Sequence, residues 1–301
     1  MYKTVSVQLP TYNRRATLEK CLQALFHQDY PHELMEIIVV DDGSTDGTDR
    51  YLVEVARISP IAMKYFRQNN EGSARARNRG IMSTDKDIIL MTDDDVIADF
   101  NLVNEHLEWH NRYFSERVAI LGYVTWSPEV KVTDFMWWCE NGGPLTRYYR
   151  ITDQLEVDFG HFYTGNISLK RTFLQRNLFD PGFHFGFDDL ELGYRLYLQG
   201  LKIIYNKKAV GYHFATYDIV RLEKRLVNIA ESAIILHRKW PELQKKVGRP
   251  RPMLVLRLAK LMSVILYPLA RILKWKKVIY RFRYQNRLSI AYARAYHANA
   301  R

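Results

Sequence analysis

EIIVVDDGST, residues 36–45, sets four consecutive β-branched residues, Ile37–Val40, against a turn of two carboxylates, a glycine and two hydroxyls. A strand buried on both faces reads as such an unbroken apolar run, and Asp-Gly-Ser chemistry ends it. Helical periodicity resumes at once, over Thr48–Ile58. The same unit recurs on either side. Upstream, Val5–Leu9 leads into Thr11-Tyr12-Asn13-Arg14 and a helix over Ala16–Gln28. Downstream, Ala62–Phe66 precedes a helix over Ser73–Met82, and Asp87–Met91 runs into Asp93-Asp94-Asp95. Strands separated by single helices predict an α/β fold, a Rossmann-like and mostly parallel central sheet flanked by helices. Such sheets bind ligands beyond the carboxyl ends of their strands, where these polar turns fall.

The triple aspartate makes a specific chemical demand. Carboxylates this close repel one another unless a cation or donor groups compensate them. A hard divalent cation with oxygen ligands would do so, and Asp95, two residues past Asp93, is placed to hold a metal that also holds a diphosphate. Beyond residue 118 the pattern turns irregular and aromatic, with Tyr123, Trp126, Phe135, Trp137, Trp138, Tyr148 and Tyr149, either an acceptor-facing wall or the packing of a mixed sheet. Helices are expected over Phe187–Gln199, ended by Gly200, and over Asp218–Trp240, with a strand at Leu201–Tyr205 between them.

The 301 residues, 47% hydrophobic and 13% aromatic, can bury a sizeable core. Two distant cysteines, Cys21 and Cys139, suggest neither a disulfide framework nor a zinc knuckle, and point to a reducing compartment. No cleaved signal peptide is expected from the first residues. The net charge of +11 is local: of 44 Lys and Arg, 13 lie between Arg249 and Arg301, where no Asp or Glu occurs. Within Met253–Trp275 the longest uncharged run, Leu261–Ala270, has ten residues, too few to span a bilayer. At 100° per residue Arg257, Lys260, Arg271 and Lys274 share a sector of about 100°. This predicts a helix lying on an anionic membrane surface, bent at Pro268, with Lys276, Lys277, Arg281, Arg283 and Arg287 beyond it; packing on the catalytic domain or on a second subunit, as a homo-oligomer, is the alternative.

Seven segments, VSVQLPTYNR, IIVVDDGSTDGT, GSARARNRG, ILMTDDDV, TGNISLKR, GFDDLELGYRL and GYHF, occur in the order of the motif set of glycosyltransferase family 2. The chain resembles that family over roughly residues 4 to 214. The resemblance implies the GT-A fold in residues 1–215, a C-terminal helical amphipathic extension over 216–301, and inverting transfer from a nucleoside-diphosphate sugar. UDP is the default donor base, with guanosine and thymidine open. By the same resemblance Thr11, Tyr12, Arg14, Asp42, Arg77, Asp93 and Asp94 bind the donor, and Asp95 and His213 bind Mn²⁺ or Mg²⁺. A carboxylate–imidazole pair favours manganese. Asp189 or its neighbour Asp188 is the general base, although the family usually has Glu-Asp at these two positions. Gly165 and Asn166 resemble the family segment that faces donor sugar and acceptor, and Glu191 and the aromatic Trp137 and Trp138 are further candidates for that contact.

A metal-dependent glycosyltransferase is therefore expected, cytoplasmic and peripheral on the inner face of the membrane, acting on a lipid-linked or surface-glycan acceptor. Transfer to a polyprenyl phosphate is an alternative in which the acceptor is already an anion. A nucleic-acid-binding protein using the basic tail is a distant one. No helix-turn-helix, zinc finger or RNA-binding signature accompanies that tail, so no nucleic-acid partner is expected.

Overall fold

The computed structural model describes residues 3–152, 155–247, 250–265 and 276–300. Nine strands form one sheet in the order β3-β2-β1-β4-β8-β6-β9-β5, with β7 paired to β9. The strands β1 (Val5–Thr11), β2 (Met35–Asp41), β3 (Ala62–Arg67) and β4 (Ile88–Thr92) are parallel, as the sequence predicts. Beyond β4 the sheet is mixed. Strand β8 (Asn166–Lys170) runs antiparallel to β4 and to β6 (Val118–Trp126). The long β9 (Lys202–His213) runs parallel to β6 and antiparallel to β5 (Val96–Ala98) and β7 (Glu156–Val157).

Alternation across the strands builds two cores. Val5, Val7 and Leu9 of β1 and Ile88 and Leu90 of β4 pack against helices α1 (Arg15–Phe26), α2 (Thr48–Ile58) and α4 (Leu102–Arg112). Ile89 and Met91 face the other way, onto α3 (Ser73–Met82), α6 (Arg171–Gln175) and α7 (Asp188–Tyr197). Within the aromatic stretch beyond residue 118, Tyr148 is buried with Tyr123, Tyr163 and Tyr205 around it, so this part of the suspected wall is packing. Cys21, on α1, is fully buried beside the acidic turn.

The chain divides into two compact units. The first comprises Met1–Lys131, Thr146–His184 and Asp188–Ala215; the second comprises Val132–Leu145, Phe185–Phe187 and Thr216–Arg301. In the second, α8 (Ile219–Lys239), α10 (Met253–Ile265) and α11 (Lys276–Asn299) pack side by side, with α5 (Asp134–Glu140) and the short α9 (Gln244–Val247). Asp218 caps α8 by accepting from Arg221 N at 2.7 Å. Cys139, on α5, is buried. The expected bend at Pro268 and the cations Arg271 and Lys274 lie outside the described residues. No helix among those described is long and apolar enough to cross a membrane.

Candidate active site

The acidic turn 93–95 leaves β4 into a cleft of the first unit, and strand pairing decides what meets it. The antiparallel pair Val96↔His213 brings the end of β9 beside Asp95. His213 Nε2 therefore lies 3.4 Å from Asp95 Oδ2, which Arg14 Nη1 also reaches. Trp126 stacks on the His213 imidazole at 5.2 Å and fixes its plane. Burial opposes the charge on Asp95, but His213 and Arg14 outweigh it and hold the carboxyl at about 2. Asp94 shows the opposite balance: burial dominates, and its carboxyl rises to about 7 despite Arg14.

Arg77 joins the distant acids. From α3 its Nη2 donates to Asp93 Oδ1 at 3.0 Å and its Nη1 to Asp188 Oδ2 at 2.9 Å, so the end of β4 and the start of α7 share one guanidinium. Burial works against this cation, and Asp188, Asp93 and Asp189 together raise its pKa above the ordinary arginine value. Ser73 Oγ donates to the same Asp188 oxygen at 3.2 Å. The geometry depends on Gly72, whose φ of 91° favours glycine and whose Cβ, if present, would meet His184 O at 2.9 Å. Asp189 follows Asp188 in the first turn of α7, where the helix dipole favours acids. Its charge reaches both Arg77 and Tyr163, and the Tyr163 phenol is pushed up to about 12 by burial first. Arg77 thus holds Asp93 and Asp188, with the charge of Asp189 also acting on it, although the two elements that carry these acids are nearly a hundred residues apart.

Several expected site residues are turned elsewhere. Asp42 accepts from Gln68 Nε2, Glu71 N and Gly72 N at 2.8–2.9 Å, so its carboxylate holds the loop before α3 rather than standing open to a base. Thr11 gives its hydroxyl to Asp94 at 2.8 Å, and both are buried. Glu191, expected toward the sugar, is 0% exposed and gripped by Arg195 at 3.0 and 3.1 Å, because one helical turn sets the pair on the inner face of α7. Trp137 and Trp138 belong to the second unit: Trp138 is buried against Phe135 and Tyr284, and Trp137 lies under Arg281. Gly165 stays at the cleft, since a Cβ there would lie 3.2 Å from Asp93 Oδ2, and Tyr12 is half-exposed at the end of β1.

Asn166, also expected toward the sugar, is 0% exposed and begins a buried polar chain between β8 and α4. Lys170 Nζ can only donate, so His110 Nδ1 accepts its bond at 2.8 Å. His110 Nε2 then donates to Ser168 Oγ, Ser168 donates to His106 Nδ1, and His106 Nε2 donates to Asn166 Oδ1, each at 2.8 Å. Asn166 Nδ2 closes the chain on Ala209 O at 2.9 Å and Tyr123 O at 3.2 Å. One direction of donation satisfies every member only while both imidazoles are neutral. Burial pushes His106 down to about 4 and His110 well below its ordinary value.

Sequence reading also passed over residues that shape the cleft. Asn13, with φ 52°, accepts from Thr45 N at 2.8 Å, and its own N donates to Ser44 Oγ at 2.9 Å, tying the first two strand-end loops together. The turn chemistry of both segments carried that signal. Trp126 stands in the aromatic stretch already singled out, but its place beneath His213 had no local signal, since β6 and β9 meet only in three dimensions.

Among the described residues no cluster of three or more His, Cys, Asp or Glu is arranged for a metal. The Asp95–His213 pair nevertheless fits one: a carboxylate and an imidazole suit a divalent cation that completes its shell with diphosphate oxygens.

The family model for glycosyl transferase family 2 matches residues 6–176. An uncharacterized glycosyltransferase of Bacillus subtilis, YfnE, is 28% identical over 252 residues, covering 69% of this chain and 64% of its own. Validoxylamine A glucosyltransferase of Streptomyces hygroscopicus subsp. jinggangensis is 30% identical over 234 residues, covering 69% of this chain and 54% of its own. The chain thus spans between half and two-thirds of the length of these relatives. In fold it resembles the mannosyltransferase PcManGT of Pyrobaculum calidifontis in complex with GDP-Man and Mn²⁺, with a TM-score of 0.59 and 21% identity over 95% of this chain and 87% of the other. It also resembles residues 1–349 of S. aureus TarS in complex with UDP, with a TM-score of 0.57 and 16% identity over 98% and 91%.

Proposed function

The chain belongs to glycosyl transferase family 2, and we propose that it transfers a sugar from a nucleoside diphosphate, UDP first among the candidates, to a hydroxyl of a lipid-linked or surface-glycan acceptor. The observation that carries this reading is the Arg77 bridge, which assembles Asp93 and Asp188 on one cation beside Asp189 and the Asp95–His213 pair. UDP, UDP-GlcNAc and GDP-Man in complexes of structural neighbours support a nucleotide-sugar donor.

Tyr12 offers an exposed ring for the base, and Arg14 and Arg77 offer donors to the diphosphate. Asp42, Thr11 and Asp94 act one step back, by holding the loops that carry those groups. Asp95 and His213 would hold the divalent ion, whose charge stabilises the departing diphosphate. Asp189 takes the proton of the acceptor hydroxyl as its oxygen bonds the anomeric carbon. The bond from that carbon to the diphosphate breaks on the opposite face, so configuration inverts. Asp188, already neutralised by Arg77, orients and does not accept the proton.

Thermal shift with UDP, GDP and dTDP, with and without Mn²⁺, tests the donor half. One nucleotide is expected to stabilise the protein only with metal, and no stabilisation by any would remove the donor assignments. Asp189→Asn tests the other half: turnover is expected to fall about 10²–10⁴-fold with nucleotide stabilisation unchanged. Near-full turnover in that variant would shift the reading to an acceptor that is already an anion, such as a polyprenyl phosphate.

A further inference from the structure

Helix α10 has two apolar faces and covers only one of them. Leu256 and Ser263 are buried where α10 packs on α11. At 100° per residue, Leu254, Val255, Leu258, Leu261, Met262 and Ile265 fall in a sector of about 120° on the opposite side. These six side chains are 47–69% exposed. Arg257 and Lys260, both exposed, occupy one shoulder between the two faces, and exposed Arg251 precedes the helix. On α11, Val278, Tyr280 and Phe282 are exposed as well. No Asp or Glu occurs anywhere from 249 to 301.

We propose that this outer face of α10 docks on an anionic lipid surface. The aliphatic side chains enter the boundary between headgroups and acyl chains, and Arg251, Arg257 and Lys260 meet the phosphates. A lipid surface supplies apolar depth and negative charge together, which this pattern of side chains needs. A second copy is a poorer occupant. In a two-fold contact the same patch serves both sides, so the cations of each copy enter the interface with no acid in the segment to offset them. The longest uncharged run here, Leu261–Ala270, has ten residues, too few to cross a bilayer, so the segment is placed on the surface. The inference deepens the lipid-facing part of the proposed function and is independent of the cleft.

Flotation of the full chain with phosphatidylcholine vesicles, with and without about one-third phosphatidylglycerol, tests it. The protein is expected to float with the anionic vesicles, at least tenfold less with neutral ones, and less as salt is raised. Two variants locate the contact, Leu254→Ser with Leu258→Ser and Ile265→Ser, and separately Arg257→Gln with Lys260→Gln. Each is expected to reduce flotation at least tenfold while leaving nucleotide stabilisation unchanged, since each alters exposed side chains. Failure of the wild type to float would overturn the proposal. So would flotation that survives the triple substitution, or a dimer in ultracentrifugation that the triple substitution alone dissolves. A protein that floats as expected but binds no nucleotide would leave this inference standing and remove only the donor reading.

Discussion

The turn 93–95 and the segment 250–300 are both densely charged, and the protein treats them in opposite ways. Each acid of the turn meets an arginine from another element: Asp93 meets Arg77, and Asp94 and Asp95 meet Arg14, with the His213 imidazole beside Asp95. Arg251, Arg257 and Lys260 stand exposed beside exposed aliphatic side chains, with no acid in their own segment. Charge compensated within the fold is preorganised, so a ligand must fit the existing partners. Charge left uncompensated at a surface selects by sign and tolerates many shapes.

Removing a cation from each region should separate them most clearly. Arg77→Ala leaves buried Asp188 without its partner and is expected to cost about 3–5 kcal/mol, lowering Tm by roughly 10 °C. Arg77→Lys keeps the charge but loses the fork that spans Asp93 and Asp188, and should recover only part of that loss. An Ala variant melting with the wild type would break the contrast.

Acid should act next. The neutral His106 of the buried chain has a folded pKa of about 4 against an ordinary 6.5, so unfolding takes up a proton at mildly acid pH. Its contribution is complete above pH 6.5 and is lost as pH falls toward 4, on the order of 3 kcal/mol in all. Denaturant unfolding from pH 7 to pH 4.5 would measure the slope, and His106→Gln should flatten it. At the other extreme, Arg257→Gln with Lys260→Gln should move folding stability by under about 0.5 kcal/mol.

How far the sequence was readable follows from the range of the interactions. The first four strands and helices α2 and α3 were legible because period and turn chemistry are local; α2 and α3 begin and end at the expected residues. The mixed half was not. Strand β6 carries aromatic residues on an inner strand that pairs antiparallel with β8 and parallel with β9, and the register with β9 slips between Gly122 and Tyr123. The same limit governed the site. Asp95 and His213 lie side by side, whereas the side chains of Asn166 and Glu191 are turned inward. A motif fixes a residue's position along the chain, but strand alternation and the helical turn decide which way it points.

Each unit also encloses a single cysteine, Cys21 in the first and Cys139 in the second. Burial pushes both thiols far up, to about 12 for Cys139 and higher for Cys21, where Asp94, Asp95 and Asp93 add to the effect. Neither can be alkylated until its surroundings open. The protein therefore carries two independent clocks, whose labelling half-lives would time the breathing of the sheet layers and of the helical unit separately in one sample, without any introduced probe.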